Sequence, residues 1–284
     1  MSPIHRRSAI PVLLIYSGYV IVALIYLIPI LWVVSLSFRP LQELFAYPPR
    51  LVPMKPTWDA YVRVIENSLI LTYLWNSLKL VSLSVLGTIV VALPSAYALS
   101  RFRFRSKRQL TLIMLGILMV QLISPLVTIL PLYRYFATLG LINSHIVVIL
   151  VFIAMETPVA TWMLKGFIDT VPTALDDAAR MDGASRLQSL VLVLLPVLMP
   201  GIISVSILIS VATWGEFLVP YMLLSDNKLQ PIGVGVLDFQ NTSDGVTTHY
   251  LAAISVLATL PALIVFLLVQ RFIVGDATSG AIKG

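Results

Sequence analysis

The chain has 284 residues, of which 58% are hydrophobic and 11% charged, with a mean hydropathy of +0.95. Soluble domains are about 45–50% apolar and about 25% charged, so a water-soluble fold is excluded and the surplus apolar surface must face lipid. The net charge of +6 sits in short loops between apolar runs, a pattern of membrane orientation rather than of nucleic-acid binding. Cysteine is absent, which excludes a disulfide framework, a cysteine-bound zinc and a thiol nucleophile.

Six apolar segments follow along the chain, at residues 12–38, 75–99, 110–132, 144–164, 201–224 and 250–274. Each approaches or exceeds the roughly 20 residues that cross the hydrocarbon as a helix. Strands are excluded for isolated segments, because an open sheet edge would strand its backbone polar groups in lipid. The expectation is an all-α membrane protein with six transmembrane helices, forming a single domain over 1–284. The first run is too long for a signal-peptide core and lacks a small-residue cleavage site, so it is expected to stay as an anchor.

The first loop carries Pro40, Pro48, Pro49, Pro53 and Pro56. Residues 58–65 after them space their apolar side chains as a short amphipathic helix, expected to lie on the outer membrane surface. Further on, residues 190–224 are nearly all apolar, too long for one span and too short for two. Pro196 and Pro200 lack the N–H that a helix interior needs. Residues 187–199 are therefore expected at the membrane face, with the fifth span starting near Gly201. Of the nineteen Lys and Arg residues, twelve fall on the side of both termini and of the loop 165–200. By the positive-inside rule that side is cytoplasmic.

The loop 165–200 holds the densest local signals. Thr173 is a candidate N-cap with Asp176 as the capping-box acid three residues on. Asp176 and Asp177 fall in a first turn, where the helix dipole favours negative charge. Asp176 and Arg180 have i,i+4 spacing, and Gly183 can take the left-handed conformation that ends a helix. These signals predict one short, self-stabilised cytoplasmic helix that presents a fixed surface.

Asp177-Ala178-Ala179, three residues, Gly183, nine residues and then Val193-Leu194-Leu195-Pro196 resembles the EAA motif of ABC-importer permeases, E-A-A-x3-G-x9-I-x-L-P. Asp stands for Glu and Val for Ile. The resemblance extends to Gly166-Phe167-Ile168-Asp169-Thr170-Val171-Pro172 before the motif, and to Asn76-Ser77 opening the second span. Trp214-Gly215-Glu216-Phe217-Leu218 and the tail Thr278-Ser279-Gly280-Ala281-Ile282-Lys283-Gly284 are similar to segments of the carbohydrate-importer branch. The resemblance implies a type I ABC importer permease with a cytoplasmic coupling helix. It implies coupling roles for Asp176, Asp177, Ala178, Ala179, Arg180, Asp182, Gly183, Leu195 and Pro196. It further implies an ATPase contact at the tail through Ser279, Gly280 and Lys283. The implied partners are a second permease subunit, two cytoplasmic ATPase subunits that carry ATP and magnesium, an extracytoplasmic substrate-binding protein and membrane lipid. No phosphate loop of the form G-x4-G-K-[ST] occurs in this chain, so no cofactor and no enzymatic role are expected of it. A bacterial or archaeal cytoplasmic membrane is the implied location.

Charges inside spans are costly, and Glu156 and Glu216 are the two carboxylates so placed. Facing a wet cavity, they could accept hydrogen bonds from sugar hydroxyls while Trp214 or Trp162 stacks on a sugar face. Either Glu156 or Glu216 could instead serve as the proton-carrying group of an ion-coupled secondary transporter, the main alternative. A membrane enzyme fits less well. The histidines His5, His145 and His249 fall in predicted loops, and Asp182-Gly183 lacks the downstream residues of a CDP-alcohol phosphotransferase signature.

Overall fold

The computed structural model describes residues 9–48, 50–66, 69–239 and 248–280, and these contain helices and loops but no strand. Five helices are long and apolar enough to cross a membrane, or six when one bent pair counts as a single span. In chain order the principal helices are α1 (Ala9–Ser37), α2 (Asp59–Glu66), α3 (Ile70–Arg101), α4 (Lys107–Leu122, ending in a 3-10 turn) and α5 (Pro125–Thr138). They continue with α6 (His145–Thr170), α7 (Ala174–Met181), α8 (Arg186–Gly215), α9 (Leu218–Leu223) and α10 (Thr248–Gly280).

Two of the expected spans need correction. The segment 110–132 is not one straight span: α4 and α5 meet at 81°. The break falls at Ile123 and Ser124, both extended in ψ (120° and 132°). Pro125 disfavours the helical conformation for the residue before it, which is why the helix stops there. The second correction concerns residues 187–199, which form the first half of α8, so the helix that reaches Gly215 starts at Arg186 rather than near Gly201. The chain absorbs Pro196 through a π-helical stretch, Ser189–Leu194, after which Pro196 occupies the first turn of the α-helical part. The π register offsets the helical bonding just before it, which accommodates a residue without an N–H inside a continuing helix. At its other end α8 stops at Gly215, because Glu216 is extended (ψ 119°), and α9 follows as a separate short helix.

The chain divides into two compact units, Met1–Asn67 with Val236–Leu257, and Ser68–Gly235 with Ala258–Gly284. In the first, α1 exposes most of its apolar surface, as a lipid-facing helix does. The expected surface helix α2 instead buries Ala60, Tyr61 and Val64. Its apolar face meets the end of α1: Phe38 packs edge-on against Trp58 at 4.9 Å, and the Tyr61 hydroxyl bonds Ser37 Oγ at 2.8 Å. The proline-rich loop is tied to the same corner. Glu43 accepts from the Met54 and Lys55 amides, and buried Arg39 lies over the Trp32 ring and donates to the Arg50 carbonyl.

The second unit is built on α3 and α6. Gly87 of α3 lies against Ile153 of α6, and Ala92, Ala96 and Ala160 are fully buried. Small residues let helix backbones approach closely, and in lipid that van der Waals contact replaces hydrophobic burial as the force joining helices. Toward one end, α8 adds Leu190, Leu194, Leu198, Ile202 and Val205 to this core. Toward the other, Leu80 and Phe152 pack with Ile129 of α5 and with Val219 and Leu223 of α9.

Gly201 of α8 sits where a Cβ would come within 2.6 Å of the Phe167 ring of α6. Gly201→Val is therefore expected to destabilise the protein by about 1–3 kcal/mol, the usual range for overpacking a close contact. A lowered melting temperature of the purified protein in detergent would register it, and an unchanged one would contradict this packing.

Candidate functional site

The helix α7, between α6 and α8, carries Asp176, Asp177 and Arg180 within eight residues. It starts differently from the sequence expectation. Thr173 has helical angles (φ −63°, ψ −20°) and its side chain makes no cap bond. Asp176 is not a capping-box acid either. It is 6% exposed, and a carboxylate so buried needs strong donors. Asp176 Oδ2 pairs with Arg101 Nε at 2.8 Å, while Oδ1 accepts from the Tyr97 hydroxyl at 3.1 Å and Ser189 Oγ at 3.3 Å. The same guanidinium donates through Nη2 to the Val171 carbonyl at 2.8 Å. The expected Asp176–Arg180 pair is thus replaced by one with Arg101, and Arg180 points outward, exposed. A buried guanidinium–carboxylate bond, whose guanidinium is also held by the Val171 carbonyl, outweighs a solvated i,i+4 pair worth a few tenths of a kcal/mol.

The rest of α7 is divided cleanly. Ala179 is buried, whereas Asp177, Ala178, Arg180, Asp182 and Gly183 are exposed. Gly183 has φ +84°. Its amide bonds the Arg180 carbonyl at 3.1 Å and that of Ala184 bonds Ala179 at 3.0 Å, which is a Schellman ending. A capping box then starts α8: Ser185 Oγ accepts from the Gln188 amide, and Gln188 Oε1 accepts from that of Ser185. The S-x-x-Q spacing was legible in the sequence and was missed. Leu195 and Pro196 do not join the exposed face of α7. They lie within α8, roughly 14 Å of helical rise beyond Arg186, where Leu195 packs against the core and Pro196 is exposed.

The candidate pathway residues separate into two places. Glu216 Oε1 accepts from the amides of Leu218 (3.0 Å) and Val219 (3.3 Å), so the carboxylate caps α9 at the helix break. Its neighbour Trp214 donates from Nε1 to the Ala258 carbonyl at 3.2 Å, and both line a small cavity with Ser77, Phe152 and Thr213. Glu156 is half-buried midway along α6, close enough to Glu216 for their charges to interact. Trp162 lies elsewhere. It is 51% exposed on a groove of about 690 Å³ between α4 and α6, lined also by Leu110, Met114 and Phe167. In the tail, Lys283 lies outside the described residues, as do the side chains of Ser279 and Gly280.

A second polar cluster went unread. Asn76 Nδ2 donates to the carbonyls of Lys228 and Gln230, and Ser77 Oγ accepts from the Ile232 amide. Asn143, at φ +63°, accepts from the Ser225 and Asp226 amides, and His145 Nε2 donates to the Leu229 carbonyl at 2.7 Å. Four side chains from two spans thus fix the backbone of residues 225–232. The signal available was two polar pairs, Asn76-Ser77 and Asn143 with His145, each placed at the mouth of an apolar run.

The all-helical fold, the broken spans and a capped amphipathic helix between the fourth and fifth apolar segments define an importer permease. The chain belongs to the family of binding-protein-dependent transport system inner membrane components, whose model matches residues 88–277. That stretch contains Arg101, the whole of α7, Glu156 and Glu216. Over 281 residues the chain is 31% identical to the trehalose/maltose transport system permease protein MalG of Thermococcus litoralis, covering 98% of this chain and 99% of that one. The galactooligosaccharides transport system permease protein GanQ of Bacillus subtilis is 30% identical, with 98% of each chain covered. Among solved structures, the fold matches a chain of a bacterial ABC transporter involved in import of the acidic polysaccharide alginate, with a TM-score of 0.78. That match has 22% identity and covers 95% of this chain and 99% of that one. The ion-coupled alternative finds no support in these comparisons.

Substitution at Gly183 tests the helix ending itself. No atom lies within 4 Å of a Cβ built there, so Gly183→Ala is expected to cost only the left-handed backbone penalty, about 1–2 kcal/mol. Faster amide hydrogen exchange at residues 183 and 184 is the expected readout, with exchange in α3 and α6 unchanged.

Proposed function

We propose that this chain is one of two permease subunits of an ATP-driven importer for a sugar or oligosaccharide, and that α7 is its coupling helix. The observation that carries the proposal is the exposed face of α7. Asp177, Ala178, Arg180, Asp182 and Gly183 are presented on a helix of eight residues whose opposite face is bonded into the span bundle. An isolated helix of that length is unstable in water. A surface this firmly supported suits docking into a groove on a cytoplasmic ATPase subunit.

Two such ATPase subunits would hold ATP and magnesium, a second permease would complete the pathway, and an extracytoplasmic protein would deliver the substrate. The sugar relatives support the substrate class, and the Lys and Arg distribution supports cytoplasmic termini. Closure of the ATPase pair then moves α7 as a rigid body and alternates access between the two faces. Glu216 and Trp214 are engaged in holding the break after α8. Glu156, half-buried midway along α6, is proposed as the carboxylate that meets substrate hydroxyl groups.

The experiment is reconstitution in proteoliposomes with the partner subunits from the same organism. Uptake is expected to require ATP and the binding protein. Uptake by this chain alone, driven by an ion gradient, would overturn the proposal. Gly183→Trp is expected to lower uptake at least tenfold at unchanged membrane insertion, within the range of coupling energies between sites.

A further inference from the structure

We propose that the Arg101–Asp176 ion pair is a positioning joint, fixing α7 to the end of α3 so that the two helices move as one body during transport. The inference rests on the coupling role proposed for α7. Covalently, α7 is attached at two points, to α6 and to α8, and to α3 at neither. At its start the chain turns through Val171, extended at ψ 125°, and at its end through Gly183 in the left-handed conformation. Each turn fixes the path of the chain locally, the second through the Schellman bonds, but neither ties α7 to α3.

Orientation is supplied by α3. Arg101 is the last residue of α3 and Tyr97 lies one turn earlier on the same face, and both bond the one carboxylate of Asp176. Two bonds spaced by a turn define an angle, whereas one would define only a position. The Arg101 fork also takes the Val171 carbonyl, so a single guanidinium holds both the first turn of α7 and the turn that leads into it. Ser189 of α8 adds a third helix to the same carboxylate. The placement suits both dipoles, with a cation at the C-terminus of α3 and an anion at the N-terminus of α7. The side chains of the pair are 10% and 9% exposed. Losing either partner therefore strands a charge away from water, a heavier penalty than losing a surface pair.

The test uses the full importer in proteoliposomes, with ATP hydrolysed and substrate imported measured on the same vesicles. Asp176→Asn and Arg101→Gln are expected to lower import per ATP by about tenfold, with the ATPase subunits still copurifying. Arg101→Lys keeps the charge but loses the fork, and is expected to fall between these variants and the wild type. A merely structural role would lower hydrolysis and import together, and an unchanged ratio would overturn the joint while leaving the importer reading intact. Wild-type vesicles that hydrolyse no ATP in support of import would overturn that reading and the joint with it.

A second measurement does not depend on the variants folding. The chain has no cysteine, so Val91→Cys on α3 and Met181→Cys on α7, both exposed, can carry a pair of spin labels. Their distance is expected to stay constant between the nucleotide-free and ATP-bound states, and a shift would overturn the proposal.

Discussion

Hydrocarbon offers two helices no gain for hiding apolar side chains from it, so what joins α3 to α6 is the closeness that small residues permit. Gly87 against Ile153, and alanines at 92, 96 and 160, make that contact. The rest of the second unit is attached to the ends of this pair. At one end, Ser100 and Lys165 both bond Asp169, and Arg101 receives Asp176, which places α7. At the other, Asn76, Ser77, Asn143 and His145 hold residues 225–232. One packed pair therefore positions α7 at one of its ends and residues 225–232 at the other.

Asp176 shows how burial redirects a local preference. In isolated peptide its best donors would be the free amides of its own first turn. Once buried, its carboxylate is too costly to leave on weak partners, and it goes to a guanidinium on another helix. Glu216 does the reverse. At a helix break in the bilayer, the open amides of α9 are the groups most in need of an acceptor, and the carboxylate satisfies two of them.

The number and kind of elements were legible because lipid imposes a length and a polarity on each. The capped end of α7 was legible because a left-handed glycine leaves a local mark. The start of α7 was not: Thr173 and Asp176 match a capping box in spacing, and only the arrival of Arg101, 75 residues away in sequence, decides otherwise. The continuity of residues 187–199 with the fifth span was not legible, because a π-helical stretch accommodates proline without any marker in the residues themselves. The bend between α4 and α5 was foreshadowed by Ser124-Pro125, yet Pro131, Pro158 and Pro261 sit within helices that continue past them. Proline alone therefore could not select the break.

That bend has a consequence for solvation. Where α4 stops and α5 departs at 81°, the last carbonyls of one helix and the first amides of the other lose their intrahelical partners. Val120, Leu122, Ile123 and Val127 around the corner are apolar and exposed, while Gln121 donates to the Met155 carbonyl and Thr128 to that of Ser124. Acyl chains offer the backbone groups no hydrogen bond. The corner is thus a local exception to the rule that a span satisfies its backbone within itself, and the oily wall has its polar edge there.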